Sequence, residues 1–182
     1  MALNVTSTKQ ALVDLVNAEN KKAFTLSVIT VGPPSDFTAT GTNAKAKFTA
    51  IQGKGYRGNV DILYNRLTTD AAFGITDYKY TLHGDVNVDG DVILQRVLAE
   101  LSVKWSLPLT GVGEVGDFVY EKTGGESDLV IGTMVIDLSP SYVLRGELHV
   151  TIMNEKTPLP DVVTVVKLDG FKYEEVDLED NG

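Results

Sequence analysis

Two carboxylates and an amide at alternate positions are the first residues in this chain whose spacing suggests chemistry. In GDVNVDG, Asp85, Asn87 and Asp89 take the first, third and fifth places of a calcium loop, with Gly90 at the sixth. Oxygen ligands so spaced converge on a hard cation, glycine permits the sharp turn, and a helical pattern follows. The ninth place, however, is Ile93 and the twelfth is Arg96, where a bidentate carboxylate should close the shell. A cation in the place of an anion favours a plain polar turn, with Asp89 or Asp91 capping the next helix. A second run, GVGEVG from Gly111 to Gly116, matches the dinucleotide fingerprint letter for letter. That fingerprint needs a strand before it and a helix after it to hold a pyrophosphate. Here SLPLT with Pro108 precedes and the strand-like DFVYE follows, so nucleotide binding is not expected.

Other catalytic constellations are thin. The chain has two histidines, His83 and His149, and His149 shares the polar face of GELHVTI with Glu147 and Thr151. There is no GxSxG elbow, HExxH or P-loop. Without cysteine there is no thiol nucleophile, cysteine-ligated zinc, iron–sulfur cluster or disulfide. Carboxylates are so numerous that some pair falls at glycosidase distance in any fold, and their number carries no information. No residue is assigned to catalysis, to a cofactor or to a metal, and a small-molecule ligand is not expected.

The 182 residues suffice for one domain or two small ones, and no run approaches the ~20 apolar residues of a membrane span. The start, MALNVTSTKQ, lacks the basic and apolar regions of a signal peptide. A net charge of -9 opposes nucleic-acid binding, because phosphate contacts need neutralising Lys and Arg. The charge is uneven: Glu174, Glu175, Asp177, Glu179 and Asp180 lie unopposed in residues 174–182, read as a solvated acidic tail.

The elements that would position these residues follow from periodicity. A first helix is predicted from Thr8 to Asn20, with Ala11, Leu12, Leu15 and Val16 on its apolar face and Ser7 or Thr8 as N-cap. Strands are expected at Phe24–Val31, Lys45–Ile51 and Gly58–Tyr64, the last two joined as a hairpin through QGKGY. A second helix from Asp91 to Lys104 presents Val92, Leu94, Val97, Leu98 and Leu101, followed by strands at Asp117–Glu121, Leu129–Leu138, Gly146–Met153 and Asp161–Leu168. Setting Arg57 on Arg145 aligns RGNVDILY with RGELHVTI, Val60 on Leu148 and Ile62 on Val150. The expected fold is therefore α+β: two related modules, 1–76 and 77–173, each a short helix plus antiparallel β-hairpins. Leu63, opposite Val60, Ile62 and Tyr64, and the run MVIDL (Met134–Leu138) put apolar residues on both strand faces, one sign of an interface. Trp105 is read as core or as an interface anchor.

The LVDLVNAEN helix, KGYRGNVDILYNRL with its Tyr56 to Gly58 and Tyr64-Asn65-Arg66 patterns, SYVLRGELHVTI, and Leu168-Asp169-Gly170-Phe171 resemble a family of virion structural proteins. The family is that of tailed bacteriophages with very large (jumbo) genomes, and the resemblance covers about Ala11 to Tyr173. It implies a non-enzymatic particle component, made in the host cytoplasm and partnered by other virion proteins and copies of itself, with head, neck, tail and baseplate all open. GDVNVDG is foreign to that pattern. It suggests the competing reading, a calcium-dependent adhesion or carbohydrate-binding module; a hydrolase using paired carboxylates is the weakest competitor.

Overall fold

A computed structural model describes residues 7–39, 41–73, 79–85, 87–111 and 113–154. The expected strand 161–168 and the acidic tail 174–182 lie outside the described residues.

Helix α1 runs Thr8–Asn20 as expected, and its cap is Ser7, whose Oγ accepts the Gln10 N–H at 3.1 Å. It ends at Lys21 in the left-handed region. The buried face is Leu12, Val13 and Val16; Leu15, expected there, is half exposed. Beyond the helix the Asn17 amide holds Phe24 through both backbone groups, accepting its N–H at 2.7 Å and donating to its carbonyl at 2.8 Å. A turn through Thr25 follows, so the strand expected from Phe24 shrinks to β1, Ile29–Val31. Then come β2 (Ser35–Asp36), β3 (Ala44–Ala50) and β4 (Asn59–Tyr64). Strand β3 is central, with β4 on one edge and β1 and β2 sharing the other, all antiparallel.

The second half adds α2 (Thr69–Phe73), β5 (Lys79–Gly84), α3 (Gly90–Trp105), β6 (Phe118–Lys122), β7 (Val130–Asp137) and β8 (Glu147–Asn154). Its sheet has the order β5-β8-β7-β6. Strand β5 was not anticipated, and it corrects the expectation of purely antiparallel hairpins, because it pairs parallel with β8 from Lys79↔His149 to Gly84↔Asn154. Helix α3 covers this sheet with Ile93, Leu94, Val97, Leu98 and Leu101, while Val92, expected on that face, stands half exposed. These side chains meet Leu82, Ile131, Met134, Ile136, Leu148 and Ile152 in the larger core, where each fully buried Leu or Ile contributes about 1.5–3 kcal/mol. The smaller core joins α1 to β1, β3 and β4 and takes in Tyr142 from the second half. MVIDL alternates after all: Met134, Ile136 and Leu138 are buried, with Val135 and Asp137 between them partly exposed.

The β3–β4 and β7–β8 pairs share one register. Phe48↔Val60, Ala46↔Ile62 and Ala44↔Tyr64 correspond to Ile136↔Leu148, Met134↔Val150 and Gly132↔Ile152. Each hairpin closes with the same bond, Ala50 N–H to the Gly58 carbonyl (3.0 Å) and Leu138 N–H to the Gly146 carbonyl (2.9 Å). Gly58 and Gly146 hold φ of 85° and 83°, a conformation that costs other residues about 1–2 kcal/mol.

Candidate functional site

GDVNVDG is a joint between β5 and α3. The Asp85 carboxylate accepts the Asn87 N–H at 3.0 Å, a local turn, and Asp89 takes the N-cap position without a side-chain cap bond. Arg96 Nη2 donates to the His83 carbonyl at 2.9 Å, which sets a guanidinium against the strand that feeds the loop. Gly90 answers a packing need: a Cβ there would stand 3.1 Å from the Tyr120 ring and 3.3 Å from Phe118. Among the described residues no three acidic or histidine side chains gather as metal ligands. Millimolar calcium is therefore expected to leave the melting temperature unchanged; a rise would show a site that the loop and its neighbours complete.

GVGEVG does meet a helix N-terminus, but with the polarity of a nucleotide site reversed. The glycine-rich turn delivers a buried carboxylate, Glu114, whose oxygens accept the Thr8 N–H at 3.1 and 3.2 Å, at the start of α1. The protein supplies its own anion where a fingerprint would receive a pyrophosphate. Thr8 Oγ1 also donates to Glu114 and accepts the Tyr142 N–H at 3.0 Å. A second joint lies at Arg66 of the YNR pattern, nearly fully buried. Its Nη1 donates to the carbonyls of Ser139 (2.7 Å) and Ser141 (3.2 Å), and its Nη2 to Asp36 (2.8 Å). The Leu67↔Leu144 bridge continues the seam. Nothing in residue spacing flagged Glu114 or Arg66, because their partners lie in the other half of the chain.

Buried beside this seam is Tyr64, whose phenol is pushed up to about 12, chiefly by desolvation, with the neighbouring Arg66 charge pulling the other way. Burial also raises Tyr142, helped by Glu114. A phenol with a raised folded pKa stabilises the fold fully below its unfolded value of about 10, and the contribution is lost as pH rises toward 12. Denaturant titrations are expected to show about 2 kcal/mol lost over that window, with Tyr64→Phe showing a shallower decline.

The remaining feature is a surface. Strand β4 exposes Val60 (55%) and Leu63 (41%), which fall on opposite faces of the strand. Beside it opens a groove of about 380 Å³ lined by Val16, Phe24, Phe48, Tyr56, Val60 and Ile62, with Lys22 and Arg57 also on its walls. The Phe24 and Tyr56 rings meet edge to face at 5.2 Å. Exposed Leu15 of α1 lines an adjoining depression with Leu63 and Ile62, so the apolar surface runs on past β4. Because Gly58 bonds toward β3, strand alternation turns the N–H and C=O groups of Asn59, Asp61 and Leu63 to the other edge. Among the described residues no strand pairs there.

The other expected positions carry less. His149 lies on the exposed face of β8, its Nε2 3.7 Å from Glu147. Trp105 is partly buried against the larger core. Among the described residues no helix is long and apolar enough to cross a membrane. No curated protein and no solved structure matches the chain. Residues 1–181 match the model of one family from end to end, and the chain therefore belongs to DUF7941, a family of unknown function.

Proposed function

We propose that this chain is a non-enzymatic virion structural component of a large tailed bacteriophage, working through protein–protein contacts with other virion proteins and with copies of itself. The observation that supports the assembly part is the apolar surface around β4, where Val60 and Leu63 are exposed on opposite faces beside the adjoining groove and no further strand pairs among the described residues. Such a surface is a template for contact with another chain, and soluble monomers ordinarily blunt or cover it. The phage assignment rests on the motifs of the hairpins and of the α1 helix. The two halves, 1–76 and 77–173, are read as related modules, a view supported by the common register of β3–β4 and β7–β8 and by the paired glycines. Mass spectrometry of purified particles tests the function: the protein is expected among the virion components, and its absence from particles that infect normally would overturn the proposal.

A further inference from the structure

Arg57-Gly58-Asn59 and Arg145-Gly146-Glu147 hold the same place in the shared register, each leading into the second strand of its hairpin. Each trio also lines a cleft: the apolar groove of about 380 Å³ in the first half, and a polar one of about 250 Å³ in the second. The polar cleft is closed from outside its own half. Arg66, just past β4, and Asp36 form its other wall, and Leu67 bridges to Leu144 beside it. The apolar groove has no such visitor among the described residues, since all that line it lie between Val16 and Ile62. In the shared register the counterpart of Arg66 is Asn154, at the end of β8. We infer that copies of the chain join head to tail, the β6–β7 turn (residues 123–129) beside Asn154 of one copy seating in the apolar groove of the next. This rests on the assembly reading above and names the partner of the same surface.

Position and chemistry together select that occupant. Asn154 fixes the turn at the place that Arg66 takes in the first half: its Nδ2 donates to the carbonyls of Glu126 (2.8 Å) and Asp128 (3.2 Å), and its N–H to that of Leu129 (2.8 Å). The groove carries Lys22 and Arg57 and no carboxylate, in a chain of net charge -9. Neither cation makes an ion pair among the described residues. The turn carries Glu126 and Asp128 and no cation, and beside them the Leu129 side chain is half exposed. An apolar anchor set in a groove supplies affinity, and opposite charges around it fix the register and exclude wrong partners. Both the turn and the groove are described, and the turn is not among the residues that line the groove, so within one chain the two do not meet. A contact of this kind is heterologous, and it builds a ring or a filament according to its rotation.

The test uses the full chain. Light scattering across a chromatographic peak, from about 5 to 200 µM, is expected to show mass rising above 19.7 kDa with concentration. Arg57→Glu on the groove and Glu126→Arg on the turn change exposed side chains, and each is expected to weaken association at least about tenfold with the melting temperature unmoved. The double variant, with the two charges exchanged, is expected to regain most of the loss. Leu129→Asp spoils the anchor. Mixed with Arg57→Glu chains, it still offers an intact groove to an intact turn, and the two are expected to form a one-to-one pair and nothing larger. In this cysteine-free chain, Asn59→Cys is expected to cross-link to Ser127→Cys of another copy in preference to Val103→Cys, on the exposed face of α3. A wild-type monomer at the top concentration, as a groove covered by its own chain would give, overturns the inference. So do turn variants that associate as the wild type does, no pairing in the mixture, or cross-linking without preference for Ser127→Cys. Those outcomes leave the particle assignment standing, while absence from virions removes that assignment and leaves the association measurable.

Discussion

Glu114→Leu is expected to lower the folding stability by about 3 kcal/mol in urea titration, with Thr8→Val close behind. The carboxylate is buried and accepts from both the backbone and the hydroxyl of Thr8. Replacing it with an apolar side chain leaves the Thr8 N–H at the α1 terminus with no partner in a dry site, where an unmet donor costs about 1–3 kcal/mol. The favourable meeting of a negative group with a helix N-terminus is lost as well, worth up to about 2 kcal/mol when partly buried. Thr8→Val acts by a different route: it strips the acceptor of the Tyr142 N–H and one donor to Glu114 at once. Because the two side chains share one chain of bonds, the double variant should cost less than the sum of the singles, a coupling of at least about 0.5 kcal/mol. Fully additive losses would show that the joint contributes nothing as a unit.

Arg66→Met carries a comparable penalty, about 3 kcal/mol, but its cause lies with the acceptors. Asp36, its ionic partner, has a side chain 76% exposed and returns to water when the guanidinium goes. The carbonyls of Ser139 and Ser141 do not, since Ser141 is fully buried, and they lose charge-assisted bonds at 2.7 and 3.2 Å. Arg66→Lys keeps the charge and loses the fork, so it should recover less than half of the loss. Added salt should leave the effect nearly unchanged, because the bonds that matter run from a buried guanidinium to buried carbonyls, where screening by salt is weak. The exposed Lys45–Asp61 pair at 3.8 Å makes the contrast: Lys45→Ala should cost no more than about 0.5 kcal/mol, and less in salt.

Legibility in the sequence followed the range of the interactions. Helices α1 and α3 and strands β3, β4, β7 and β8 were readable because caps and alternation act over a few residues. The α1 end points held, and those of α3, β6, β7 and β8 moved by a single residue. Strand β5 escaped notice because KYTLHG is short and its partner, β8, lies far along the chain. Phe24 was misread for the opposite reason, since a side chain only seven residues upstream captures its backbone. Leu15 and Val92 were placed on the core faces by helical periodicity, yet the helices sit rotated so that Val13 and Ile93 are buried instead. The two tempting motifs turned on single residues: Gly90 makes room for Tyr120, and the carboxylate of Glu114 fills the helix terminus that GVGEVG would otherwise offer to phosphate.

The bond between Thr8 and Tyr142 spans 134 positions, and Tyr142 also completes the smaller core. On a ribosome adding about 5–20 residues per second, helix α1 would emerge many seconds before the residue that closes its N-terminal joint. The first half must then wait, its core unsealed, until most of the second half has been made. A chain halted before Tyr142 would leave that core open to solvent, and is expected to be a target for proteolysis.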